Sequence, residues 1–90
     1  MFSILYHPRV VEDDIPRIPV VWKEKIRYAI ELRLTTFPDL YGKPLRRSLK
    51  GYRKLRVGDY RVIFKIERQT LKILIIQHRS VVYHKIDKRT

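Results

Sequence analysis

The sequence predicts an α+β fold in the order β-α-α-β-β-β, with two N-terminal helices packed on one face of a mainly antiparallel four-stranded sheet. Three observations carry this expectation. Apolar residues recur at helical spacing between Val20 and Phe37. From Leu49 onward the period changes to two. The last three alternating segments are joined only by the dipeptides "GD" and "RQ", and links that short force antiparallel neighbours. Ninety residues leave room for one core, so the chain is read as a single domain, residues 1–90.

The elements follow in order. "FSILYH" (Phe2 to His7) is short, rich in strand formers and ended by Pro8, and is the first strand. "VVEDDIPRIP" is a short helix with Val10, Val11 and Ile15 as its apolar stripe, Asp13 and Asp14 in its middle, and Pro16 and Pro19 limiting its length. In "VVWKEKIRYAIELRLTTF", Trp22, Ile26, Ala29 and Ile30 recur at i, i+4, i+7 and i+8, and Leu34 and Phe37 continue that face. Lys23, Lys25, Arg27 and Glu31 fall outside it, and Pro38 ends the helix. "PDLYGKPLRRS" is a polar connection. "GYRKLRV", "YRVIFKIE" and "TLKILIIQHR" are the remaining strands, with Gly58-Asp59 as a pair that tolerates positive φ in a tight turn. The tail "SVVYHKIDKRT" is expected to add a short strand or helix and then fray.

Alternation assigns the faces. Leu55 and Val57 on one strand, and Tyr60, Val62, Phe64 and Ile66 on the next, turn toward the helices. Tyr52, Lys54, Arg56, Arg61, Ile63 and Lys65 then project from the opposite face, which is expected to be open and basic, with Lys54, Arg56 and Arg61 close together. The run "ILII" is apolar on both faces, as suits a central strand. Gln77, His78 and Arg79 end it, and Tyr83 follows.

Lys and Arg number 21 against 9 Asp and Glu, a formal charge of +12, which points to a polyanion: nucleic acid ahead of an anionic membrane or an acidic protein. There is no cysteine, which excludes disulfides, thiolate metal sites and thiol catalysis and fits a reducing, cytoplasmic setting. No apolar run approaches the roughly 20 residues of a spanning helix. "MFSILYHPRV" lacks the basic and apolar regions of a secretory signal. Asp13 and Asp14 are adjacent but unsupported, so no metal and no small-molecule cofactor is expected.

Two segments, "KPLRRSLKGYRKLRVGDYRVIFKI" and "ILIIQHRSVVY", resemble the RelE/ParE superfamily of bacterial toxins, and the resemblance runs from about Tyr6 to Tyr83. Its most specific parts are "LRVGDYRV" and "HR" followed by "VY". The resemblance implies a type II toxin neutralised by an antitoxin encoded beside it. RelE-like members cut mRNA on the ribosome, whereas ParE-like members inhibit DNA gyrase without the nuclease residues. The leading expectation is therefore a metal-independent endoribonuclease whose partners are the antitoxin, mRNA and the ribosome. The alternative is a gyrase inhibitor.

Carried over by motif, Lys54 matches the strand lysine that acts as base or charge stabiliser, and Arg61 the arginine that binds the scissile phosphate. Arg79 matches the arginine at the end of the last strand, and Tyr83 the tyrosine that orients the nucleotide. His78 is the other candidate for general acid. Lys43, Arg46, Arg47, Lys50, Arg53 and Arg56 are expected to bind RNA through its phosphates, which gives affinity rather than sequence preference.

The chemistry suits these residue types. Attack by the RNA's own 2′-hydroxyl needs a proton removed, charge stabilised on a five-coordinate phosphorus, and a proton delivered to the 5′-oxygen. Arginine offers a planar fork for two phosphate oxygens. Neighbouring cations disfavour a lysine's charged form, which would suit Lys54 beside Arg56 and Arg61 as a base. Plainer readings stand beside these. A strand-end histidine such as His78 is more often structural, the Tyr83 ring could cap the core, and Asp59 is a turn residue. Trp22 and Tyr28 are helix packing, and the basic face could be a solvated surface or the antitoxin's docking surface.

Overall fold

The longest strand among the described residues, β5 (Thr70–His78), lies between the first strand of the chain and its own hairpin partner. The computed structural model describes residues 1–45 and 51–90. Its strands are β1 (Ser3–Tyr6), β2 (Lys43–Pro44), β3 (Tyr52–Val57), β4 (Tyr60–Glu67) and β5 (Thr70–His78), in the spatial order β1-β5-β4-β3-β2. β1 runs parallel to β5 and every other pair is antiparallel. The sheet thus has five strands where the sequence predicts four. The extra one, β2, pairs only Lys43 with Lys54 and Pro44 with Arg53, too short a stretch to show a period of two.

The turns form where predicted. Gly58 sits at φ 58°, and a Cβ there would lie 2.3 Å from Cη2 of Trp22, so this glycine serves both the backbone conformation and the close approach of the indole. In the "RQ" turn, Arg68 takes φ 57°.

Helix α1 is a π-helical stretch, Val10–Asp14, that continues as the turn Ile15–Arg17. Helix α2 is Val20–Tyr28, continuing as π-helical Ala29–Leu34. The short α3 is Pro38–Tyr41. Helix α4, Val82–Lys85, runs into the 3₁₀ turn Ile86–Lys88. Among the described residues no helix is long and apolar enough to cross a membrane.

The main core is the one read from periodicity. Ile26, Ala29, Ile30 and Leu34 of α2, with Val10 and Ile18, pack on Leu55, Val62, Phe64, Leu71, Ile73 and Ile76. Each fully buried aliphatic or Phe side chain of this kind contributes about 1.5–3 kcal/mol. Two expectations change. Val11 is exposed, because the wide winding of α1 turns Val10, Asp14 and Ile18 inward instead. Phe37 is also exposed, because α2 stops short of it: the hydroxyls of Thr35 and Thr36 donate to the carbonyls of Glu31 and Leu32 and close the last turn.

The second face is not open over its whole area. Ile63, Leu74 and Ile75 form a second core with Val82 and Ile86, so the C-terminal segment covers part of this face. A register shift between Ile63 and Phe64 helps: Ile63 pairs with Ile75 but Phe64 with Ile73, which lets the consecutive Leu74 and Ile75 both join that core.

The tail does not fray. β1 accompanies β5 only as far as Ile73. Beyond it, Asp14 accepts the Ile76 N–H at 2.8 Å and Gln77 Nε2 at 2.6 Å, while Arg89 clasps the same carboxylate at 2.5 and 2.6 Å and reaches the Leu74 carbonyl at 3.3 Å. Two side chains take over the edge of β5 that β1 leaves bare.

Candidate nucleic-acid interface

Strand pairing brings the cations together. On the face away from α1 and α2, Arg56 lies directly opposite Arg61, and Lys54 directly opposite Lys43 on β2. Like charges placed opposite one another are destabilising. Lys43, Lys54, Arg56 and Arg61 line one hollow of about 310 Å³, together with Arg33 from the end of α2 and Tyr41 from the end of α3. Among the described residues, the ion pairs of the protein include none of these five cations. The fold thus concentrates positive charge here and leaves it uncompensated, which an anionic ligand would relieve.

The opposite end of the same face is different. Lys72 and Lys65 lie 2.7 and 3.5 Å from the Glu67 carboxylate, and the hydrogen bond from Lys72, above all, holds that carboxyl below its usual range. Lys65 also lies over the Tyr52 ring at 5.6 Å. The cations beside the β4–β5 turn are therefore partly offset by a carboxylate, whereas those that line the hollow have no such partner among the described residues.

Arg61 is held rather than free to swing. Its Nη1 donates to the carbonyls of Gly58 and Tyr60, both at 2.9 Å, and its remaining N–H groups have no protein partner among the described residues. Arg79 stands exposed beside the same hairpin tip, its N–H donating to the Asp59 carbonyl at 2.7 Å and its Nε 3.5 Å from the Asp59 carboxylate. Asp59 is thus more than a turn residue: it tethers the end of β5 to the β3–β4 turn. Tyr83 is exposed on α4, whose Val82 packs beside Ile63, on the side of the sheet that carries Lys54 and Arg61.

Two expected site residues are placed elsewhere. His78 pairs with Tyr60, so pleating turns its ring to the helix-covered face, across the sheet from Lys54, Arg56 and Arg61. There it meets Tyr60 edge-on at 5.7 Å, Tyr60 meets Trp22 at 5.7 Å, and the His78 Nδ1 accepts the Ser80 N–H at 3.1 Å. Arg53 also faces away from the hollow, its guanidinium taken up by the Gly42 carbonyl at 2.9 Å and Asp39 at 3.2 Å, which ties α3 to β3. Arg46, Arg47 and Lys50 lie outside the described residues. Arg33 and Tyr41 join the site without any signal in the sequence pattern. Arg33 does fall outside the apolar stripe of α2, but nothing local in the sequence aims it at a hairpin more than twenty positions away.

Among the described residues no three His, Asp or Glu side chains gather to hold a cation. Asp14, the one fully buried carboxylate among them, is saturated by Arg89, Gln77 and the Ile76 amide.

Residues 5–83 match the family model of the ParE toxin of type II toxin–antitoxin systems, parDE. Toxin RelE of Mycobacterium tuberculosis is 38% identical over 76 residues, which cover 78% of this chain and 74% of that toxin. Toxin RelG of the same organism is 41% identical over 54 residues, covering 58% of this chain and 62% of RelG, just under two thirds of its length. Among solved structures, the toxin–antitoxin complex RelBE2 of Mycobacterium tuberculosis contains a similar chain, with a TM-score of 0.80 and 28% identity over 87% of this chain and 98% of that one. A RelB–RelE complex from Methanococcus jannaschii shares the fold at a TM-score of 0.70 and 21% identity, over 89% of this chain and 95% of that one.

Proposed function

The chain belongs to the RelE/ParE superfamily of type II toxins, and on that premise we propose that it is a RelE-type endoribonuclease that cuts mRNA on the ribosome by attack of the RNA's own 2′-hydroxyl. The observation that carries this reading is the hollow lined by Lys43, Lys54, Arg56 and Arg61, whose cations have no carboxylate partner among the described residues.

In the reaction, the 2′-oxygen bonds to phosphorus and the bond from phosphorus to the 5′-oxygen breaks. The products are a 2′,3′-cyclic phosphate and a free 5′-hydroxyl. Lys54 takes the 2′ proton or offsets the charge that develops beside it. Arg61, fixed by two carbonyls, presents its free N–H groups to the phosphate oxygens, a preorganised arrangement of the kind that stabilises developing charge. Arg79 offsets the charge that develops on the departing 5′-oxygen, which takes its proton from solvent. Its tether to Asp59 at the same hairpin tip supports it over His78, whose ring is engaged on the other face. Tyr83 orients the nucleotide. All of this chemistry is drawn from cationic and aromatic side chains and needs no metal.

The partner that keeps the toxin inactive is a cognate antitoxin, in keeping with the toxin–antitoxin complexes of its relatives, and the site of action is the cytoplasm, where translating ribosomes are. The matched family bears the name ParE, which keeps gyrase inhibition as a second reading. The uncompensated basic hollow favours the nuclease. Ribosomes programmed with a defined mRNA provide the test. The wild type should cut the message, and Arg61→Ala and Lys54→Ala should each lose about 10²–10³-fold in rate. Equal cleavage by all three would remove the site assignment. Intact mRNA with blocked DNA supercoiling would favour the second reading.

A further inference from the structure

The hollow holds one aromatic side chain, which a purely ionic site would not need. Tyr41 is 40% exposed at the end of α3, and its ring lines the hollow beside Lys43, Lys54 and Arg56. The Arg33 guanidinium sits over that ring, 5.7 Å from its centroid, a cation–π contact. The backbone beneath the ring is braced as well. The amides of Tyr41 and Gly42 close onto the carbonyls of Phe37 and Pro38, and Arg53 grips both the Gly42 carbonyl and Asp39. An exposed aromatic held this firmly, among cations without carboxylate partners, has the chemistry of a stacking surface.

We infer that Tyr41, braced by Arg33, is a shelf for one nucleobase, which makes the hollow a site for single-stranded RNA with its bases turned out rather than for any polyanion. The inference rests on the nuclease reading for the identity of the polymer, but not for the stacking itself. A duplex would not serve, because its bases are already stacked on one another. Tyr41 touches the substrate in this arrangement, and Arg33 is a positioning residue that also adds charge.

Binding separates these contributions. The probe is a short 2′-O-methyl oligoribonucleotide, which lacks the attacking hydroxyl, compared by fluorescence anisotropy with an abasic chain of the same length. The wild-type chain should bind the base-bearing probe more tightly. Tyr41→Ala should lose about tenfold in affinity for that probe and nothing for the abasic one. Tyr41→Phe keeps the ring and should keep the preference. Arg33→Gln should weaken binding of both probes and narrow the preference. Equal losses on both probes for Tyr41→Ala, no loss on either, or a Tyr41→Phe loss as large as that of Tyr41→Ala would each overturn the shelf. A chain that shows the base preference but never cuts ribosome-bound mRNA would keep the shelf and sink the nuclease reading instead.

Discussion

Arg89 and Asp14, 75 positions apart, hold each other through a two-pronged ion pair at 2.5 and 2.6 Å, with the aspartate side chain fully buried. The pair joins α1, the bare edge of β5 and the C-terminal segment, and so keeps α4, with Tyr83, seated over part of the second face. Removing one partner of a buried pair strands the other charge without solvent. Arg89→Met or Asp14→Asn should each lower stability by about 3–5 kcal/mol in urea unfolding. The double variant should lose clearly less than the sum of the two, and simple additivity would mean that the residues act independently.

Arg56 should trade stability for binding. It faces Arg61 directly across the β3–β4 pair, so Arg56→Thr relieves a like-charge contact and should raise stability by about 0.2–1 kcal/mol. The same change should lower the slope of log affinity for single-stranded RNA against log salt by about 0.7, one phosphate contact. Thermal unfolding and a salt titration read the two effects, and an unchanged slope would take Arg56 out of the interface.

The strand-end residues should part company in kinetics. His78 lies against Tyr60 on the helix-covered face, while Arg79 reaches the hairpin tip that carries Arg61. Arg79→Ala should reduce single-turnover cleavage by about 10²-fold or more, the usual scale for a group that stabilises developing charge, with His78→Gln leaving it within a few-fold. A larger loss for His78→Gln would reverse the assignment.

Gly58→Ala tests the turn. The substitution forces an L-residue to φ 58°, which costs about 1–2 kcal/mol by itself, and drives a Cβ into the Trp22 indole. The variant should unfold at lower urea by more than the backbone term alone, and the fluorescence of Trp22, the only tryptophan, should shift as the indole is displaced. Unchanged Trp22 emission would contradict the packing of the indole on this turn.

Much of the fold is legible in the sequence because it is local. A period of two with two-residue turns dictates hairpins, and hairpins dictate which residues share a face, so alternation alone groups Lys54, Arg56 and Arg61. The burial of Asp14 is not legible. A carboxylate in a short helix reads as solvated, and its partner lies at the other end of the chain. The departure of His78 follows the same rule that groups the others: pleating sends Gln77 and His78 to opposite faces, and proximity to Arg79 in sequence hides it. Arg53 reads as a phosphate ligand by its charge, although alternation already sets it on the face of Leu55, opposite its neighbours Lys54 and Arg56.

The sequence by itself determined the hairpins of β3, β4 and β5, the helix that covers one of their faces, and the excess of cations on the other, since each depends on residues within one or two turns or strands of one another. Tertiary structure alone decided that β1 lies parallel beside β5 and that the C-terminal segment covers part of the second face. It also decided that Arg33 and Tyr41 join the hairpin's cations at one hollow. Those contacts close over long stretches of chain, and no short-range periodicity encodes them, because they depend on how whole elements pack rather than on how each one forms.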